Sequence, residues 1–119
     1  MSEYDMTMTP ARRFADEYVD IVNRGEYHQL ADLFARDALF LGPGGQVLQG
    51  REEIAAFYIR FLGEIRPKIR IAAYVEAGND CVYELEALTA NHDDYVLGAI
   101  DHATLDADGK VTRFAVFVK

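Results

Sequence analysis

The sequence predicts an α+β fold in which one mainly antiparallel sheet curls around helices packed from the N-terminal half. Two observations carry this. Apolar residues recur at helical spacing as far as Ile65 and at twofold spacing from about Lys68 onward. Three polar clusters, Gly78-Asn79-Asp80, Asn91-His92-Asp93-Asp94 and Asp106-Ala107-Asp108-Gly109, then divide the remainder into four strands. The 119 residues, half of them hydrophobic, fit a single domain spanning 1–119 that buries its own core, with residues 1–8 as a loose N-terminal arm.

The elements follow in order. Thr9-Pro10 reads as an N-cap with proline at the first helical position, Phe14, Tyr18, Ile21 and Val22 supply the apolar stripe, and Gly25 ends the helix. A second, shorter helix carries Leu30, Leu33 and Phe34 before Asp37. Ala38 to Leu41 is a short strand, stopped by Gly42-Pro43-Gly44-Gly45. Gly50 precedes a third helix with the stripe Ile54, Phe57, Tyr58, Phe61 and Ile65, and Glu52 and Glu53 suit its first turn. In the first strand of the meander, Ile69, Ile71, Ala73 and Val75 share one face.

Composition narrows the function. Twelve Lys and Arg against 20 Asp and Glu give a net charge of −8, without a basic cluster, so nucleic acid and anionic membrane are not expected partners. No apolar run reaches the roughly 20 residues of a membrane span, and residues 1–10 lack the layout of a signal peptide, so the expected location is cytoplasmic. Cys81, the only cysteine, is a strand thiol with no Lys, Arg or His beside it in sequence to activate it. His28, His92 and His102 fall on a helix, a turn and a strand, and form no metal set. Neither metal nor cofactor is expected. Arg12 and Arg13 read as solvated helix residues.

One residue breaks the pattern. Alternation along the strand from Tyr95 to Leu105 puts Tyr95, Leu97, Ala99, Asp101, Ala103 and Leu105 on one face, so Asp101 is an acid on an apolar surface. Such a carboxyl must be paired, hydrogen-bonded or protonated. Tyr18, on the apolar stripe of the first helix, needs a partner for its hydroxyl if buried.

The segments Tyr18-Val19-Asp20-Ile21-Val22-Asn23-Arg24-Gly25, Leu33-Phe34-Ala35-Arg36-Asp37-Ala38, Gly50-Arg51-Glu52-Glu53-Ile54-Ala55-Ala56-Phe57-Tyr58, Ala99-Ile100-Asp101-His102 and Asp108-Gly109-Lys110-Val111 resemble ketosteroid isomerases and the wider nuclear-transport-factor-2-like (SnoaL-like) superfamily. The resemblance implies a cone-shaped α+β barrel, a cystatin-like roll of three helices in a curved sheet. It implies that Tyr18 and a protonated Asp101 form an oxyanion hole, with Tyr58 orienting Tyr18. Ketosteroid isomerase is the well-known case of a carboxylic acid kept neutral by an apolar site. It further implies a pocket for a small, largely apolar carbonyl- or phenol-bearing ligand, steroid or polyketide-like, with Phe57, Leu97, Ala99, Phe114 and Val116 in its wall, and a homodimer.

The family's general base is an aspartate before the proline of an acid-Pro-x-Gly turn, and that position here is Gly42. Glycine cannot move a proton between carbons, which puts ordinary steroid Δ-isomerase activity in doubt. Glu84 or Glu86 would replace the base if the family register holds and their face lines the pocket. Local alternation argues the reverse: Cys81, Tyr83, Leu85 and Ala87 form the more apolar face and leave both glutamates in solvent. The alternative function is a non-catalytic ligand-binding or dimeric association module of the same fold.

Overall fold

In the computed structural model, which describes residues 8–118, helix α1 (Pro10–Arg24) is capped as its sequence predicts. Thr9 Oγ1 accepts from Arg12 N–H at 3.0 Å, and Gly25 closes the helix at φ 77°, a left-handed geometry that suits glycine. The buried face, Ala11, Phe14, Ala15, Tyr18, Ile21 and Val22, follows the predicted stripe. A 3-10 helix, Tyr27–Leu33, then leads directly into strand β1 (Phe34–Leu41). Phe34 therefore starts a strand rather than ending a helix, and the strand begins four residues before Ala38. Pro43–Gly45 forms a single 3-10 turn, followed by β2 (Val47–Gln49) and helix α2 (Arg51–Ile65). Strand β2 has only three residues, too few for periodicity to reveal it.

Strands β3 (Lys68–Ala77), β4 (Asp80–Leu88), β5 (Val96–Leu105) and β6 (Val111–Phe117) form the expected antiparallel meander. β6 continues the sheet through a parallel pairing with β1, giving the order β2-β1-β6-β5-β4-β3. The sheet is curved, mixed and mostly antiparallel, and it stays open between β2 and β3. Residues 1–7, which include most of the expected N-terminal arm, lie outside the described residues.

Two bulges correct the strand faces. The β3–β4 register shifts between Ile71 and Ala73, so Ile69 and Ile71 face the helices, whereas Val75 is 65% exposed on the outer face. The β4–β5 register shifts between Leu85 and Glu86, where Leu85 pairs with Ala99 but Glu86 pairs with Leu97. The extra residue is Gly98. It reverses the alternation between Leu97 and Ala99, which simple twofold counting places together.

Candidate functional site

The concave side of the sheet and the two α-helices enclose a cavity of about 440 Å³, within the roughly 300–1,000 Å³ usual for small-molecule sites. Its wall is largely apolar. α1 contributes Tyr18 and Val22, and α2 contributes Phe57, Tyr58 and Phe61. From the sheet come Leu85, Ala87, Ala99, Asp101 and Val116, and the turn after β1 adds Pro43 and Gln46. Phe61 and Ile65, expected as buried stripe residues, are 44% and 38% exposed while still lining this cavity; the side of α2 packed into the core is Ile54, Tyr58 and Leu62.

Three of the expected polar residues meet here. Tyr18 Oη donates to Tyr58 Oη at 3.0 Å, and the Tyr18 ring packs on Phe14, Tyr58, Tyr83 and Phe114 at centroid distances of 5.7–6.4 Å. Both groups of the hydroxyl pair carry a proton, so an oxygen that accepts from Tyr18 would turn the bond around and make Tyr58 the donor. Burial pushes both phenols well above their ordinary pKa, so both remain protonated donors across the physiological range.

Asp101 is 1% exposed, and it is the one carboxyl group among the residues lining the cavity. Its Oδ2 has no hydrogen-bond partner among the described residues, and neither has the buried hydroxyl of Tyr83, its neighbour across the β4–β5 pair. Burial pushes the Asp101 carboxyl up to about 8. The nearby Tyr83 hydroxyl pulls in the opposite direction, less than burial does, without completing a well-formed bond. At neutral pH the carboxyl is therefore mostly protonated and able to donate. The site holds an orphan acid beside a tyrosine pair in an apolar chamber.

The remaining expected residues divide. Phe57, Ala99 and Val116 line the cavity. Phe114 does not; it is fully buried behind the wall, against Tyr18, Phe34 and Phe40. Leu97 is 44% exposed on the outer face because the bulge at Gly98 turns it away. Glu84 and Glu86 also face outward: Glu84 is exposed, and Glu86 Oε1 pairs with Arg70 Nε at 2.8 Å. The inward face of β4 is the apolar one, Cys81, Tyr83 and Leu85, as local alternation indicates. Neither glutamate replaces the base.

Gly42 lies at the end of β1, extended at φ −96°, ψ 178°. Sequence reasoning missed Gln46 and Tyr83. Gln46 reaches the cavity through the shape of a glycine-rich turn, which no periodicity encodes. Tyr83 was visible as a tyrosine on the apolar face of its strand, but its position opposite Asp101 depends on the register.

Outside the cavity, His102 Nε2 lies 3.2 Å from Asp80 Oδ1 on the outer face, and Thr104 donates to the same oxygen. Cys81 is 1% exposed, and burial raises its thiol to about 11, which keeps it un-ionised and poorly nucleophilic. Arg12 is more engaged than a solvated residue: it bonds Asp16 and lies over the Tyr74 ring. Among the described residues no three His, Cys, Asp or Glu side chains converge as metal ligands, and no helix is long and apolar enough to cross a membrane.

Residues 15–114 match the model of the SnoaL-like domain. The steroid Delta-isomerase of Nocardioides simplex is 32% identical over 101 residues, covering 84% of this chain and 82% of that protein. Among solved structures, a putative isomerase of the SnoaL-like family from Agrobacterium tumefaciens superposes with a TM-score of 0.76 at 19% identity, covering 94% of this chain and 99% of that one. SalBIII, an epoxide hydrolase/cyclase-like enzyme in pyran ring formation of the polyether salinomycin, superposes with a TM-score of 0.77 at 21% identity, covering 91% and 89%. An NTF2-like protein of unknown function from Cytophaga hutchinsonii gives 0.73 at 16% identity, covering 95% and 92%. These structures share the fold, and the family model together with the isomerase relative shows that the chain belongs to the SnoaL-like domain family.

Proposed function

We propose that the cavity binds a small, largely apolar molecule, steroid or polyketide-like, by a carbonyl or phenol oxygen, with Tyr18 and protonated Asp101 as the two donors. The observation that carries this reading is the unpartnered Oδ2 of Asp101, 1% exposed, in the same cavity wall as the Tyr18–Tyr58 pair. A buried polar atom without a partner destabilises the empty protein, and a ligand oxygen that accepts from it relieves that penalty. The same two donors would stabilise negative charge developing on that oxygen. Tyr58 holds Tyr18 in line.

Proton transfer between carbons needs a base, and Gly42 supplies none. Asp101 is the one carboxyl in the wall and is already used as a donor, so the cavity is equipped to bind an enolisable ketone but not to isomerise it as the steroid isomerase does. The test is calorimetric titration with oestradiol, alongside turnover of a β,γ-unsaturated ketosteroid. Oestradiol should bind, Tyr18→Phe and Asp101→Leu should each weaken it about tenfold, and turnover should be negligible. Absence of binding, or equal affinity in Tyr18→Phe, contradicts the reading.

A second reading is an association module, favoured by Val75 and Leu97, 65% and 44% exposed on the outer face of the sheet. It predicts a homodimer in sedimentation that Val75→Glu dissociates, whether or not oestradiol binds.

A further inference from the structure

Gly42 leaves a gap that a different side chain fills. A Cβ placed on Gly42 would lie 2.4 Å from Gln46 Oε1 and 3.2 Å from Gln46 Cβ, so the Gln46 side chain folds back over the glycine and occupies the space a residue there would need. The turn holds it in place: Gly42 N–H donates to Gln46 O at 2.9 Å, and Gln46 N–H donates to Pro43 O at 3.4 Å. Its carboxamide lines the cavity and makes no hydrogen bond to any described residue.

The sheet register locates this amide relative to the donors. Leu41 pairs with Ala115, and Val116, the next residue on β6, pairs with Asp101. Gly42 follows Leu41, so it stands beside Val116 and two strand spacings, about 10 Å, from the Asp101 backbone. Phe40 and Val116 both line the cavity, so the inward phase is shared along this row. An oxygen held by Tyr18 and Asp101 thus leaves room for one ring, or a fused pair, before Gln46 is reached.

We propose that Gln46 is a specificity-determining residue whose carboxamide, standing over Gly42, binds a second oxygen of the ligand, placed on the same ring as the oxygen held by Tyr18 and Asp101 or on the ring fused to it. This rests on the binding function proposed above and deepens it. A carboxamide both donates and accepts, so it takes a hydroxyl or a carbonyl equally. It is neutral and cannot remove a proton from carbon. The preferred ligand class is therefore a fused-ring hydroxyphenol or hydroxyketone rather than a mono-oxygenated hydrocarbon.

The test compares β-naphthol with naphthoresorcinol, which adds a second hydroxyl to the same ring, by calorimetric titration of the wild-type protein, Gln46→Leu, Gln46→Ala and Tyr18→Phe. Wild-type protein should prefer naphthoresorcinol by about three- to tenfold, the value of one neutral hydrogen bond. Both Gln46 variants should lose that preference while still binding β-naphthol, which also reports that they are folded. Tyr18→Phe should weaken both phenols. If the phenols bind and respond to Tyr18→Phe, but the preference is absent or survives in both Gln46 variants, the role of Gln46 is overturned and the binding function stands. If neither phenol binds the wild-type protein, both are overturned.

Discussion

Asp101 is the residue on which the proposed function turns, and its burial makes stability depend on pH in a definite direction. The folded protein holds its proton up to about 8, whereas the unfolded chain releases it near the ordinary value of 3.8. With the folded value raised, this group's contribution is fullest below about pH 4 and is lost as pH rises through the window to about 8. Each pH unit within that window is worth about 1.4 kcal/mol. Asp101→Asn, neutral at every pH, should remove the slope and make the protein more stable near pH 7 by roughly 1–3 kcal/mol, allowing for an imperfectly satisfied amide. Thermal melts of both proteins from about pH 4 to pH 8 check this. Parallel melting curves would mean that Asp101 is ionised or solvated.

At the scale of elements, much of this site is legible in the sequence. The cap and stripe of α1 locate Tyr18, and the alternation of β5 marks Asp101, because capping and twofold burial are local properties. Two things were not legible. The bulge at Gly98 is a tertiary adjustment to the curved sheet, and it sends Leu97 outward while leaving Ala99 inward in the wall.

 The contrast between Leu97 and Ala99 can be measured: Leu97→Lys should change stability by no more than about 0.5 kcal/mol, whereas Ala99→Lys should abolish ligand binding by placing a charge in the cavity. Equal tolerance at both positions would contradict the register. The other element is the Gly42–Gln46 turn, whose shape comes from glycines and not from periodicity. Because a Cβ at Gly42 meets Gln46 Oε1 at 2.4 Å, Gly42→Asp alone must displace Gln46. Turnover of a β,γ-unsaturated ketosteroid should therefore rise more in Gly42→Asp/Gln46→Ala than in Gly42→Asp. No gain in either folded variant would show that a base at position 42 is insufficient to restore isomerisation.

Over the whole molecule, the fold makes a chamber from elements far apart in the chain, with Tyr18 on α1, Tyr58 on α2 and Asp101 on β5. Order along the chain predicted helices followed by a meander. The parallel pairing of β1 with β6, which sets Gly42 in the same row as Asp101, is a long-range choice that local pattern does not specify. The central claim is that this chamber keeps Asp101 protonated as a hydrogen-bond donor. Infrared difference spectroscopy between the wild-type protein and Asp101→Asn tests it most directly, by following the carboxylic acid stretch of Asp101 as pH is raised. The account predicts a carboxylic acid C=O band at about pH 6 that disappears on titration near pH 8. A carboxylate signal already complete at about pH 6 would contradict it.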